Sequence, residues 1–440
     1  METDQRTSLS VRRENAILVG VELRDRSVDH DAVDSLRELQ ALAESAGAIV
    51  KEIILQRRPR LDPKFYIGKG KVEELAGLIE QFEADVIIFD DDLSPAQLRE
   101  IEEVCKCKVL DRSELILDIF ASRARTHEAG LQVELAQLEY TAPRLRGMWT
   151  HLERIAGAGG GTGVGAVGGI GTRGPGERQI EIDRRIVNRR VTMLKRQIAA
   201  IDRRKIQQVR ARHEHFNISL VGYTNAGKST LMNALTDAGV HVEDRLFATL
   251  DTKTRRWNLG GADYALLSDT VGFIRRLPHH LVASFRATLE EAIHANLLLH
   301  VVDASSPTAA RQYTAVTGVL KELGCGDHKT LVVLNKIDAV RDQTELQILQ
   351  RKLPDALAIS AHNGMGLPEL IGRVREEVTG QPCKATIRLN NADGRAIAFV
   401  EKHAEVFDRR YKDHTVEMDV RIGSAILNRL RENHSAVVVQ

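Results

Sequence analysis

Residues 216–222, FNISLVG, form an apolar run that passes directly into Gly222, four residues, Gly227, Lys228 and Ser229, and then into the helical pattern KSTLMNAL. No other feature constrains the fold as tightly. A strand must deliver a glycine loop to a helix N-terminus, where backbone N–H groups and the positive end of the helix dipole can meet an anion. This arrangement belongs to α/β sheets of mostly parallel strands with helices on both faces. It assigns Gly222, Tyr223, Thr224, Asn225, Ala226, Gly227, Lys228, Ser229 and Thr230 to a phosphate cradle. Lys228 would reach the β and γ groups, with Ser229 on Mg2+.

Three further segments follow in the order a guanine site needs. LLSDTVGF ends an apolar strand at Asp269, where a carboxylate can hold the magnesium shell; Thr270 and Val271 follow, and Gly272 lets a backbone N–H approach a γ-phosphate. LVVLNKID ends in Asn335, Lys336 and Asp338. The Asp338 carboxylate can accept two hydrogen bonds from N1 and the exocyclic amine of guanine, which adenine cannot offer, while Lys336 lies along the ring. LAISAHN supplies Ser360 and Ala361, whose N–H groups can meet the guanine oxygen. The cofactors read from these motifs are GTP or GDP and Mg2+.

Between loop and Asp269 runs RLFATLDTKTR. A segment here that gives one Thr to magnesium and the γ-phosphate would order with triphosphate and release after hydrolysis. Thr249 is the chosen residue, flanked by Phe247, Ala248 and Leu250, with Thr252 and Thr254 as nearby alternatives. The metal set is then Ser229, Thr249 and Asp269, and the catalytic set Lys228, Thr249 and Gly272. Phe273 occupies the position where many GTPases orient water with a Gln, so hydrolysis is expected to be slow without an added stabiliser. Asn225 is a candidate for holding a monovalent cation, K+, beside the phosphates.

Elsewhere the chain reads as further domains. From 16 to about 112 apolar runs alternate with helical patterns, which implies a small, mostly parallel sheet. Residues 113–142 carry one long helical pattern with Leu131, Leu135 and Leu138 on a stripe, stopped by Pro143. A second pattern, about 177–212, repeats Ile180, Val187, Val191, Leu194, Ile198 and Ile201 as a heptad seam. Together they suggest a long antiparallel helical hairpin. Between them, residues 156–176 hold eleven glycines in twenty-one positions, which should leave the turn mobile when unbound. From Arg178 to Arg212 there are twelve Lys or Arg and three acids, so a chain with net charge of only +1 conceals a basic helix suited to a phosphate backbone. A small α+β unit should close the chain. The expected division is 1–112, 113–212, 213–380 and 381–440.

With 43% hydrophobic and 28% charged residues, composition is that of a globular protein, and no run nears the ~20 apolar residues of a membrane span. No stable membrane insertion is expected. The four cysteines make no disulfide framework, and Cys105 and Cys107 have poor zinc spacing, so a cytoplasmic location is expected.

These residues resemble the HflX GTPases. The match runs from residue 16 to about 380 and rests on YIGKGKVEEL, FDDDLSPAQLRE, VLDRSELILDIFASRA, GGIGTRGPGERQIEIDRR, VGYTNAGKST, FATLD, DTVGFIRRLPHHLVASF and NKID. The resemblance implies an α/β lobe and helical hairpin, a GTPase domain and a small C-terminal domain. It implies binding to the large ribosomal subunit, with the glycine-rich tip directed at ribosomal RNA, and dissociation of stalled ribosomes under stress. Ribosomes would stimulate GTP hydrolysis, and ATP is also hydrolysed by some members. A monomer is expected when free. The sequence departs from the family where LDTKTR replaces LDPTTR, where the glycine stretch is lengthened, and where Arg178 replaces a Thr. Two other functions stay open: a GTP-dependent RNA-modifying enzyme, for which His279 and His280 are the nearest candidates, and an ATP-dependent RNA remodeller using the glycine pair in IGKGKVEEL.

Overall fold

A computed structural model of the chain describes residues 14–23, 32–144, 179–211, 215–236, 246–247, 253–260, 263–275, 291–412, 414–433 and 437–439. Two units are present: Met1–Arg203 with Arg245–Phe247 and Leu277–Phe285, and Arg204–Asp244 with Ala248–Arg276 and Arg286–Gln440.

The first unit holds a wholly parallel sheet in the order β2-β1-β3-β4, made of β1 (Asn15–Leu23), β2 (Ile49–Arg58), β3 (Val86–Phe89) and β4 (Lys108–Asp111). β3 is buried at all its positions and β1 at most of them, as apolar runs covered on both faces require. The helices α1 (Ala32–Ser45), α2 (Lys69–Phe82) and α3 (Pro95–Cys105) accompany it. Val72, Leu75, Leu98 and Ile101 join Ile17, Val19 and Phe89 in one core. Cys105 packs in that core, and burial pushes its thiol up to about 11.

Asp111 ties this lobe to the helices that follow. It ends β4 and caps α4 (Arg112–Arg123), its Oδ1 accepting from the Glu114 N–H at 3.0 Å. Its Oδ2 accepts from the Leu93 N–H at 3.2 Å, from Arg144 at 2.9 Å and from the Tyr140 hydroxyl. Arg144 also stacks 3.7 Å over the Tyr140 ring. A fully buried carboxylate tolerates desolvation only with such a set of donors.

The single helix expected over 113–142 is two. α4 ends at Arg123, and α5 (His127–Thr141) starts after Thr126, whose hydroxyl accepts from the Ala129 N–H at 3.1 Å. The second long helix is α6 (Gln179–Ala211), 33 residues and therefore about 50 Å long. Leu131, Leu135 and Leu138 meet Val187, Leu194 and Ile198, which is the heptad seam. Its direction differs from the expectation. Arg190 pairs with Glu134 and Lys195 with Glu139, both 56 residues apart, so α5 and α6 run parallel and are not the two arms of an antiparallel hairpin. An apolar stripe packs in either direction, and the flanking ion pairs reveal which. The glycine-rich stretch 156–176 lies outside the described residues.

The second unit is built on a six-stranded sheet in the order β10-β9-β8-β5-β7-β6. Its strands are β5 (Asn217–Gly222), β6 (Lys253–Gly260), β7 (Asp263–Asp269), β8 (Leu297–Asp303), β9 (Thr330–Asn335) and β10 (Leu357–Ala358). All pairings are parallel except β6 with β7. Among the described residues four helices go with this sheet: α7 (Lys228–Thr236), α8 (Ala309–Glu322), α9 (Gln343–Lys352) and α10 (Leu367–Thr379). β5 lies between β7 and β8, so its loop emerges mid-sheet at the carboxyl edge, where α/β sheets bind ligands.

The chain then forms the α+β unit expected at its end: β11 (Pro382–Asn390), α11 (Gly394–His403), β12 (Glu405–Lys412), β13 (Thr415–Gly423), α12 (Ser424–Asn433) and β14 (Val437–Val439). Its antiparallel sheet has the order β12-β13-β11-β14, the ferredoxin-like arrangement. Asp263 of β7 joins it to the larger sheet by accepting from His403 of α11 at 3.1 Å, while also accepting from Arg375 of α10 at 3.1 Å. Among the described residues no helix is long and apolar enough to cross a membrane.

Candidate nucleotide site

The phosphate loop begins where β5 runs out. Gly222 is required there because a Cβ would stand 2.2 Å from the Val301 carbonyl oxygen of the neighbouring strand. Gly227, at φ +89°, is required twice over, since a Cβ would lie 2.4 Å from Asn335 Nδ2. Asn225 takes the left-handed region at φ +58° and its carbonyl accepts from Lys336 Nζ at 2.7 Å. Thr224 and Ala226 are buried, and Thr230 follows on α7.

Lys228 is buried at the first turn of α7, with Nζ donating to the carbonyls of Gly222 at 3.1 Å and Tyr223 at 2.8 Å. An ammonium has three protons, which leaves one to donate outward. Burial lowers Lys228 to about 8, although the Asp269 charge works the other way. A desolvated cation of this kind is suited to an anion. His300 of β8 is held down to about 3, chiefly by burial and then by Lys228, so it is neutral and stacks on Tyr313 at 4.9 Å.

Across from the loop, Ser229 Oγ donates to Asp269 Oδ2 at 2.7 Å. A hydroxyl and a buried carboxylate side by side are hard oxygen donors of the type Mg2+ takes. The residues present therefore fit both a nucleotide phosphate and its magnesium. Thr270 is fully buried, its hydroxyl donating to the Leu220 carbonyl at 2.6 Å; Val271 and Gly272 follow.

Asn335 links the glycine loop after β5 to the loop after β10. Its Nδ2 donates to the Ala226 carbonyl at 2.9 Å and its Oδ1 accepts from the Ala361 N–H at 3.0 Å. Lys336 sits at φ +62° and pairs with Asp303 at 2.7 Å. Asp338 is exposed in a short 3-10 turn, Ile337–Ala339, and Ser360 is fully buried, its N–H donating to the Met365 carbonyl at 2.9 Å.

Not every expected residue gathers here. Phe247 groups with the first unit, where it is buried at φ +57° with its ring 4.5 Å from Phe120; the Leu246 N–H donates to Ser45 Oγ. Ala248, Thr249, Leu250 and Thr252 lie outside the described residues, as do His279 and His280. The Thr254 hydroxyl is held by Ser268 at 2.9 Å and by Glu291. Two residues escaped the sequence reading. Asp303, which anchors Lys336, ends the strand LLLHVVD much as Asp269 ends LLSD, and that likeness was the available signal. Tyr223, read only as a loop member, also accepts the Arg275 N–H on its hydroxyl at 2.8 Å, which no local pattern announces.

A mainly parallel sheet with a glycine loop closing on a buried lysine, a serine beside a strand-end aspartate and an asparagine bridging that loop to the one after β10 defines a P-loop GTPase. Family models extend this along the chain: "GTP-binding GTPase N-terminal" over residues 33–121, "GTP-binding GTPase Middle Region" over 123–212 and "50S ribosome-binding GTPase" over 217–336. The chain belongs to the HflX family of GTPases. It is 41% identical to GTPase HflX of Lacrimispora saccharolytica over 96% of this chain and 97% of that protein. It is likewise 41% identical to GTPase HflX of Escherichia coli K12, over 97% of each. A crystal structure of SsGBP with GDP is similar over 83% of this chain and 98% of that one, at 25% identity and a TM-score of 0.46.

Proposed function

We propose that the chain is a GTP-driven switch that binds the large ribosomal subunit and promotes dissociation of stalled ribosomes. The observation that carries the reading is the meeting of three motifs far apart in sequence: Lys228 in the loop, Ser229 against Asp269, and Asn335 bonded to Ala226 and Ala361. The family model for residues 217–336 adds the ribosomal side of the proposal, and the basic α6 supplies a surface suited to RNA phosphates.

In this reading the loop from Gly222 to Thr230 cradles the phosphates and Lys228 directs its remaining proton at them. Ser229 and Asp269, with Thr249, would hold Mg2+, which would supply positive charge beside the phosphates. Asn225 is the proposed neighbour of a K+ ion. Asp338 reads guanine, Lys336 lies along the base, and Asn335 fixes both loops. Phe273 cannot orient water, so the ribosome is assigned the stimulation of hydrolysis. The four-part division at residues 112, 212 and 380, a cytoplasmic location and a free monomer complete the proposal.

Co-sedimentation of the full chain with separated ribosomal subunits, with GDP and with a non-hydrolysable GTP analogue, tests it. Association with the large subunit that is stronger in the triphosphate form is expected. Equal association in both forms, or none, would refute the switch.

A further inference from the structure

Asp269 is the last rung of β7 on both of its edges, opposite Leu220 of β5 on one and Lys253 of β6 on the other. Strand ends are where a sheet frays first. One residue earlier Thr254 stands opposite Ser268. Opposed residues share a face of the sheet and successive ones alternate, so the side chains of Ser268 and Asp269 leave β7 on opposite sides. On the Asp269 side Ser229 donates to the carboxylate. On the Ser268 side its hydroxyl lies 2.9 Å from that of Thr254, which donates to Glu291, 2.9 Å from Oε2 and 3.2 Å from Oε1. Glu291 belongs to the stretch leading into β8.

Counting protons gives this chain of bonds a direction. A carboxylate only accepts and a hydroxyl has one proton to give. The Thr254 proton goes to Glu291, so Ser268 is the donor in the bond between the two hydroxyls. Ser268 is 6% exposed, which leaves little water to compete for its proton. The charge on Glu291 strengthens the first bond and polarises the second, and the two together orient the residue just before Asp269.

We propose that Glu291 is a positioning residue for the metal site: through Thr254 and Ser268 it pins the end of β7 from the face opposite Ser229 and so holds Asp269 in place. The inference rests on the assignment of Ser229 and Asp269 to Mg2+ and deepens it. Mg2+ demands near-ideal octahedral geometry, so freedom at the rung that carries one of its oxygens is felt as lost metal affinity. Nucleotide contacts made by the glycine loop and Lys228 do not pass through this chain of bonds. Cutting it therefore changes the dependence on Mg2+ and leaves metal-free nucleotide binding as it was.

The test is release of fluorescent GDP from the full chain across a Mg2+ series, with release in EDTA as the reference. The readout is the Mg2+ concentration that gives half of the full slowing, which involves no hydrolysis and which a merely structural role would leave in place. Glu291→Gln keeps the shape and removes the charge; it should raise that concentration about three- to tenfold, the worth of one hydrogen bond, with release in EDTA unchanged. Thr254→Val, which cuts the same chain one link on, should raise it likewise, and the double variant should go no further than Thr254→Val alone. If Glu291→Gln does not fold, Ser268→Ala, which cuts the chain at its other end, is read in its place. An unmoved Mg2+ requirement in Glu291→Gln, even where Thr254→Val moves it, overturns the role of Glu291 while the metal site stands. Wild-type release that does not respond to Mg2+ overturns the metal reading and this inference with it.

Discussion

Ser229 Oγ lies 2.7 Å from Asp269 Oδ2, joining the first helical turn after the phosphate loop to a strand end forty positions later. Replacing Asp269 by Asn keeps the shape and removes the charge. Phosphate release from GTP should fall about 10²-fold or more, the scale of losing one transition-state group, and the Mg2+ needed for half-maximal rate should rise. A titration of rate against Mg2+ checks this; the same requirement in both proteins would remove Asp269 from the metal site.

Asp338 should decide the base. Asp338→Asn is expected to shift preference away from guanine nucleotides by a factor of about 10⁴, because a site built to bond a donor pair loses its match. Competition between GTP and xanthosine triphosphate measures the shift, and an unmoved preference for GTP would assign base recognition elsewhere.

Nucleotide affinity should fall at alkaline pH. Burial holds Lys228 at about 8, so the folded chain favours the neutral amine more than the unfolded chain does. A phosphate needs the ammonium. Above pH about 8 binding must therefore take up a proton, and affinity weakens as pH rises beyond that value. The same sign makes this group's contribution to folding stability rise between about pH 8 and the ordinary lysine range, since the unfolded chain then binds more protons. Calorimetry in buffers of different ionisation heat would detect the uptake; equal heats and a flat affinity would contradict it.

In the first unit, Asp111→Ala should be among the most damaging substitutions. It leaves Arg144 a buried cation without its closest partner and removes the cap of α4. A loss of about 3 to 5 kcal/mol is expected in urea unfolding. A change under about 1 kcal/mol would mean that solvent reaches the cluster.

Association with ribosomes should weaken steeply with salt, because each phosphate contact by the basic helix releases counterions. Sedimentation across a salt series reads the slope, and salt-independent binding would take that role from α6.

Much of this was legible in the sequence because it is local. The strand, loop and helix around Lys228 follow from one short motif, and the apolar runs of the lobe fixed its parallel sheet. What stayed hidden is tertiary. The stripe of Leu131, Leu135 and Leu138 carries on in phase with the residues before it, so period alone hid the break that Thr126 caps. A heptad stripe has no direction, which is why the parallel run of α5 and α6 needed the Glu134–Arg190 and Glu139–Lys195 pairs to be seen. The partners of Asp111 come from residues 93 to 144, and nothing in their spacing gathers them.

The double grip of Asn335 has an experimental corollary. Because one amide braces both the loop assigned to phosphate and the loop assigned to the base, trimming it should weaken binding of pyrophosphate-bearing ligands generally, purine identity notwithstanding. A scan that scored Asn335 only by discrimination between bases would file a mechanical strut under recognition.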